Sequence, residues 1–264
     1  MSTTVAQIYD LMNQRAPFHY QLGFDNAGFL VGRRNEVVDH VLVALDITPS
    51  VVREAVELGA QLIVSHHPVI WNALKQLTDD TPAGIMLLDM VQHGIAAICA
   101  HTNLDAVAGG VNDALAYTLG LTDVEQLHQD GVDEQGRPYG IGRVGLVPTQ
   151  GVDAFACRVK EKLNAACVRV VDSGKPVHKV AVGGGSCGSM LADALACGCD
   201  TFVTADVKYD VFLEAKNYGL NLLDAGHYPT ENVVCPVVAE WLQKAFPDLK
   251  VTISQRHQEI YHCV

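Results

Sequence analysis

The sequence predicts an α/β fold of two similar α/β lobes, an internal duplication, with mixed, largely parallel sheets flanked by helices. Three observations predict it. First, runs such as Val41-Leu42-Val43-Ala44-Leu45 and Leu62-Ile63-Val64 are apolar throughout instead of alternating, as strands of a parallel sheet covered on both faces must be. Second, a helical segment lies between those two runs, so 40–65 reads as a βαβ unit with parallel strands and a right-handed crossover. Third, the second half echoes the first. At a constant offset of 139, Val41-Leu42-Val43-Ala44 matches Val180-Ala181-Val182-Gly183, Gly59 matches Gly198, and Leu62-Ile63-Val64-Ser65 matches Thr201-Phe202-Val203-Thr204. The run before His101 matches Leu220-Asn221-Leu222-Leu223-Asp224 at an offset of 126, so a deletion intervenes. The expected lobes are 1–121 and 151–264, joined by a connecting hairpin or loop at 122–150; the whole can also pack as one compact unit.

Taken in order, 4–14 is a helix. Val5, Ile8, Tyr9 and Met12 share one face, and Thr4 with Gln7 has capping-box spacing. The glycine-containing stretch 22–32 is either a turn before a strand or a loop that brings Asp25 and Asn26 to a site. Strand 40–46 follows. Thr48 then caps a helix with Pro49 in its first position, and Gly59 ends it. Strand 61–65, helix 82–92, strand 95–100 and helix 110–117 complete the first lobe. The polar, glycine-rich 122–150 reads as an excursion in which 141–148 alternates like a strand. Helix 152–165 and strand 167–171 open the second lobe.

Composition bounds the function. The chain has 264 residues, 49% apolar and 18% charged, enough for a substantial core. No run of 18 apolar residues exists, so no membrane helix is expected. The first seven residues lack the features of a signal peptide, which points to the cytoplasm. The net charge of -12, with no basic cluster beyond Arg33-Arg34, argues against general nucleic-acid binding. The eight cysteines form no C-x-x-C, and Cys197-x-Cys199 has the wrong spacing for a zinc or redox motif. They read as reduced thiols.

The chemistry-bearing residues follow the apolar runs. Ser65-His66-His67-Pro68 puts two imidazoles where a strand must stop, because Pro68 cannot continue a central ladder. Within a strand neighbouring side chains diverge, but at its end both can turn to one point. His101-x-x-x-Asp105 and His227-x-x-x-Glu231 each span one helical turn, so each pair can face one point. Each pair alone has a structural reading: a helix cap, a first-turn charge, a solvated turn. All three following apolar strands, two of them in repeat-related positions, favours a shared metal site of His66, His67, His101, Asp105, His227 and Glu231, set in the cleft between the lobes. Six ligands exceed the need of one tetrahedral zinc and suit two divalent ions about 3.5–4 Å apart. Nitrogen and oxygen donors without thiolate fit iron, zinc, manganese, cobalt or nickel alike. His19, His40, His93, His128, His178, His257 and His262 lack this arrangement and read as structural or exposed. Asp25, Asn26 and Asp206 are candidate catalytic residues, the first two orienting water or substrate. Asp206, repeat-related to His67, is a candidate acid or base. Gly183-Gly184-Gly185-Ser186 lacks the lysine of a P-loop; of its two readings, tight packing is favoured over an anion-binding turn.

Phe24-Asp25-Asn26-Ala27-Gly28, Ser65-His66-His67-Pro68, His101-Thr102-Asn103-Leu104-Asp105 and Gly226-His227-Tyr228-Pro229-Thr230-Glu231 resemble, in order and over nearly the whole chain, the motifs of the Nif-three-like family, whose members are often named GTP cyclohydrolase I type 2 homologues. The resemblance implies a dinuclear metal centre ligated by His66, His67, His101, Asp105, His227 and Glu231, two similar lobes and a ring-shaped homohexamer. It also implies a hydrolase whose metal-activated water attacks a nucleotide-like or phosphoester small molecule, as in purine-ring-opening cyclohydrolases. The alternative is a non-catalytic metal-binding hexameric regulator or scaffold. Two departures stand out. Phe24 replaces a usual tryptophan, and Thr204-Ala205-Asp206-Val207-Lys208-Tyr209-Asp210 lacks the final histidine of the family's second-lobe pattern.

Overall fold

The computed structural model describes residues 2–264. The chain divides into two compact units: 1–104 with 235–258, and 105–234 with 259–264. In chain order the first contains α1 (Val5–Arg15), β1 (Gly28–Val31), β2 (His40–Ala44), α2 (Pro49–Leu58), β3 (Leu62–Ser65), α3 (Pro82–Gln92) and β4 (Ala96–Cys99). The chain leaves it within α4 (Thr102–Ala106). The second contains α5 (Val111–Thr118), β5 (Thr122–Gln126), β6 (Gly131–Val132), β7 (Pro138–Tyr139), β8 (Arg143–Gln150), α6 (Val152–Lys162), β9 (Arg169–Val171), β10 (Val177–Val182), α7 (Leu191–Ala196), β11 (Thr201–Thr204), α8 (Tyr209–Tyr218), β12 (Asn221–Asp224) and α9 (His227–Glu231). Helix α10 (Val234–Ala245) and β13 (Lys250–Ile253) then return the chain to the first unit.

The first sheet has the order β1-β4-β3-β2-β13. Strands β2, β3, β4 and β13 are parallel, and β1 is antiparallel at the edge. Every residue of β2, β3 and β4 is buried, which is why these runs are apolar on both faces. Leu42, Ala44, Ile63, Ala97 and Cys99 pack with Val51, Val52 and Ala55 of α2 and Leu87 and Met90 of α3. The local signals act as the sequence implies. Thr4 and Gln7 close a capping box, Thr48 Oγ1 accepts the Val51 N–H at 3.3 Å, and Gly59 ends α2 in the left-handed region at φ 65°.

The second sheet has the order β5-β8-β10-β11-β12-β9. Only β10, β11 and β12 are mutually parallel; β5, β8 and β9 pair antiparallel. Val180, Val182, Val203 and Leu223 pack against Phe155 and Val159 of α6. Ala181, Phe202 and Leu222 face the opposite core with Leu191 and Ala194 of α7. The offsets pair β2, β3 and β4 with β10, β11 and β12; the fourth parallel strand of the first sheet, β13, has no such match.

Two sequence expectations are corrected. The segment 122–150 is not a mere connector, because β5 and β8 are strands of the second sheet and only the short β6–β7 hairpin is an excursion. The linear division at 1–121 and 151–264 also fails. Residues 235–258 belong to the first unit, where β13 pairs with β2 from Lys250↔His40 to Ile253↔Val43. Long-range pairing of this kind leaves no local periodicity.

Buried Glu54 of α2 fastens this returning segment. Its carboxylate accepts the Ser254 hydroxyl, the Gln255 N–H at 2.9 Å and the Arg256 N–H at 3.3 Å. Removing such an acceptor costs each buried donor its partner, so Glu54→Ala should lower stability by about 2–3 kcal/mol in urea denaturation. Glu54→Gln should cost less.

Candidate metal centre

The histidine cluster of the first unit is set by where the parallel strands end. At the end of β3 the Ser65 hydroxyl donates to the His67 carbonyl at 2.9 Å, and the His67 N–H donates to the Leu45 carbonyl at 2.9 Å. This turn lets the two imidazoles use neighbours on either side. His66, 2% exposed, places Nδ1 2.9 Å from the Ala100 carbonyl beyond β4. His67 places Nδ1 2.7 Å from Asp46 Oδ1 beyond β2. His101 places Nδ1 2.9 Å from Asp25 Oδ1. The ring centroids lie 5.0 Å (His66–His67), 5.1 Å (His66–His101) and 5.4 Å (His67–His101) apart. One ligand atom from each can be chosen so that all three lie within 4.8 Å of one another. Carbonyl and carboxylate oxygens only accept, so each Nδ1 carries the hydrogen. In this tautomer each ring presents Nε2 as the donor atom for a cation.

Asp25 lies in the loop before β1, and its side chain is fully buried. Oδ1 accepts from His101 and from the Asn26 N–H at 2.7 Å; Oδ2 accepts the Thr102 N–H at 3.0 Å and its hydroxyl at 2.5 Å. Burial pushes this carboxyl up, but the His101 and Thr102 hydrogen bonds outweigh it and hold it down at about 2. The resulting stabilisation is present above the ordinary value of 3.8 and is lost as pH falls through about 2. Asp25 therefore positions His101. Asn26 turns elsewhere, donating Nδ2 to the Ile70 carbonyl at 2.6 Å.

Sequence reasoning missed Asp46. It orients His67, and its Oδ2 lies 3.4 Å from Nε2 of buried His257. His257 Nδ1 in turn accepts the Leu45 N–H at 3.3 Å. Burial opposes ionisation of Asp46, yet the two histidines lower its pKa well below the carboxylate range. The available signal was position, since Asp46 lies just past β2 as His66 lies just past β3.

In the second unit, His227 and Glu231 begin and end the single-turn α9, with His227 Nε2 3.0 Å from Glu231 Oε2. His227 Nδ1 is 2.7 Å from Oδ2 of half-exposed Asp206. Glu231 and Asp105 are buried. Burial, then the Asp105 and Glu231 carboxylates, push the Cys187 thiol up. The glycine run is a cradle for these groups. A Cβ on Gly185, whose φ is 66°, would lie 2.0 Å from Glu231 Oε1 and 3.2 Å from His227 Nε2. A Cβ on Gly184 would lie 2.9 Å from Val111 Cγ1. Asn112 Oδ1 accepts the Gly184 N–H at 2.9 Å, and its Nδ2 donates to the Asp105 carbonyl at 3.0 Å. Thr230 Oγ1 accepts the Gly185 N–H at 3.0 Å. Beside Asp206 a cavity of about 270 Å³ is lined by Cys167, Arg169, Asp224, Gly226 and Tyr261.

The donor chemistry fits divalent cations. One unit offers three oriented imidazoles, and the other offers an imidazole with two buried carboxylates, without thiolate. The sequence profile of the DUF34/NIF3 (NGG1p interacting factor 3) family matches residues 3–260. The chain belongs to the DUF34/NIF3 family. Among curated family relatives, a Clostridium perfringens protein named GTP cyclohydrolase 1 type 2 homolog is 32% identical over 260 residues, covering 97% of this chain and 98% of that protein. A Streptomyces coelicolor protein of the same name is 37% identical over 241 residues, covering 88% and 84%. Among solved structures, a Bacillus cereus protein related to NIF3 superposes with a TM-score of 0.94 at 27% identity, covering 100% and 99%. Reduced HcgD from Methanocaldococcus jannaschii superposes with a TM-score of 0.80 at 26% identity, covering 97% and 99%.

Partners that orient metal-bound histidines contribute about 10–100-fold in metal affinity. Asp25→Ala should therefore weaken metal binding by that factor in a chelator-competition titration. Gly185→Ala, which forces Glu231 aside, should weaken it at least as much. Unchanged affinity in both would remove the metal reading of these residues.

Proposed function

We propose that this DUF34/NIF3 protein is a dinuclear-metal-dependent hydrolase acting on a nucleotide-like or phosphoester substrate. His66, His67 and His101 of the first unit and Asp105, His227 and Glu231 of the second together hold two divalent cations in this reading. The observation that carries it is the common design of the four imidazoles. Each gives Nδ1 to an acceptor on its own unit, as metal-bound histidines do. The motif order and the name shared by the curated relatives support the hydrolase class.

Ions held by these residues would supply a water of lowered pKa, towards about 7, and polarisation of the bond under attack. The chain does the rest. Asp25, Asp46 and Asp206 keep the proton on Nδ1 of His101, His67 and His227. Their rings then need no reorganisation as a substrate arrives. Asp105 and Glu231, buried carboxylates, supply the negative charge that makes the site select cations. Asp206 is the most exposed of the orienting acids. The proposed assembly is a homohexamer in the cytoplasm, on the motif resemblance and on the fact that no helix among the described residues is long and apolar enough to cross a membrane.

Elemental analysis after purification without chelator should give two equivalents of metal per chain, and His66→Ala and Glu231→Ala should each remove metal. Hydrolysis of GTP, or of another member of a nucleotide and phosphoester panel, should fall at least 100-fold in both variants, with circular dichroism unchanged. Substoichiometric metal even after reconstitution would overturn the centre. Two equivalents of metal without turnover would instead favour a non-catalytic regulator, a reading that the family's description as an interacting factor also supports.

A further inference from the structure

We propose that Phe24 and Trp71 form an aromatic platform beside the histidine cluster, and that it takes the planar heteroaromatic ring of the substrate. The proposal rests on the hydrolase reading for its consequence, the class of bond presented to the site, but the ring binding itself needs no turnover.

Aromatic residues make up only 6% of this chain, yet an exposed one, Trp71, stands beside His101, and a second, Phe24, stands beside Trp71. Phe24 is 65% exposed and Trp71 47%. The Trp71 ring stands edge-on to the His101 ring, with centroids 5.4 Å apart at 72°. The Phe24 ring lies 6.3 Å from Trp71, tilted by 40°. The pair is thus a tilted wedge of one mostly exposed and one half-exposed ring. Paired exposed aromatic rings are surfaces on which a flat base can stack.

The placement is built by three consecutive residues. Phe24 supplies one ring. Asp25 fixes the His101 imidazole. Asn26 Nδ2 holds the Ile70 carbonyl at 2.6 Å and so fixes the backbone that carries Trp71. One short loop therefore sets the platform and orients the neighbouring donor. A flat ring resting on either face lies about 3.5 Å from it, close enough to the His101 ring for the ring's edge substituents to reach the cluster. A saturated or branched substrate could not use both faces. The geometry favours a nucleobase-like ring, with the Phe24 and Trp71 faces setting ring preference and the polar cluster setting the reaction.

The test uses guanosine, a purine with no phosphate to be drawn by metal, titrated into the metal-loaded full-length protein while tryptophan emission is followed. Guanosine should quench the emission saturably. Trp71→Phe should remove that quench, because only the signal of Trp241 remains. Phe24→Ala should weaken guanosine at least tenfold by calorimetry, the size of one base–aromatic stack, whereas Phe24→Tyr should retain it. Ribose 5-phosphate, which has no ring system to stack, should leave the Trp71 emission unchanged. The platform is overturned if guanosine does not bind, if it binds equally well to Phe24→Ala, or if it binds without changing Trp71 emission. It is also overturned if Trp71→Ala changes the oligomeric mass, which would make the exposed rings, with neighbouring Leu74 and Leu77, a contact between copies of the chain. Metal content measured on the same samples separates the two readings: two equivalents of metal without guanosine binding removes the platform and leaves the metal centre, and guanosine binding without metal does the reverse.

Discussion

The hydrogen bond from an imidazole Nδ1 to an acceptor held by its own unit is the interaction on which this molecule's chemistry depends. Parallel strands make it possible. Strands in a sheet lie about 4.8 Å apart, and in a parallel set the carboxyl ends emerge at one edge. In the first unit Ala44 pairs with Ser65, and Ser65 with Cys99. Asp46, His66, His67, Ala100 and His101 therefore leave the sheet side by side. In the second, Thr204 pairs with Asp224, so Asp206 and His227 emerge together. An antiparallel arrangement of the same strands would send acid and imidazole to opposite edges.

The same constraint governs what surrounds the donors. A buried carboxylate is tolerated only where hydrogen bonds or a cation compensate its lost hydration. Glu231 and Asp105 are buried, and the backbone around them is tied down accordingly. Asn112 joins the Asp105 carbonyl to Gly184, and Thr230 accepts the Gly185 N–H. Gly185 must lack a side chain for two separate reasons. Its φ of 66° is left-handed, and the space a Cβ would take is already occupied by Glu231. A glycine run that resembles part of a phosphate loop is here the floor under a carboxylate.

How much of this was legible follows from the range of each interaction. The segment from β2 through α2 to β3 could be read almost residue by residue. Its signals are local: an apolar run, Thr48 before Pro49, Gly59 at the end. The His-x-x-x-Glu pair on α9 was legible because one turn separates its members. The place of β13 beside β2 was not, since its partner lies some two hundred residues earlier and neither strand carries a mark of the other. Asp46 was overlooked for the same reason. A single acid after a strand looks like any helix-preceding acid until the end of the neighbouring strand is seen. Asp25 was noticed, but its role was not readable. Only the buried contacts with His101 and Thr102 distinguish an acid that positions a ring from one that meets a substrate.

The sequence correspondence at an offset of 139 gains a physical meaning from these contacts. It sets Asp46 against Gly185 and His67 against Asp206. In the first unit the orienting acid lies beyond β2 and its imidazole beyond β3. In the second unit the acid, Asp206, lies beyond β11 and its imidazole, His227, beyond β12. Gly185, at the offset from Asp46, has no room for an acid, because Glu231 reaches into that space from α9. The missing histidine of the second-lobe pattern, at Asp210, lies in the first turn of α8. That residue is no part of the Asp206–His227–Glu231 chain of contacts, which is complete within the second unit without it. The Asp46–His67 and Asp206–His227 pairs therefore reach one kind of donor orientation from different strand ends, and Glu231 of α9 fills the space that an acid beyond β10 would need.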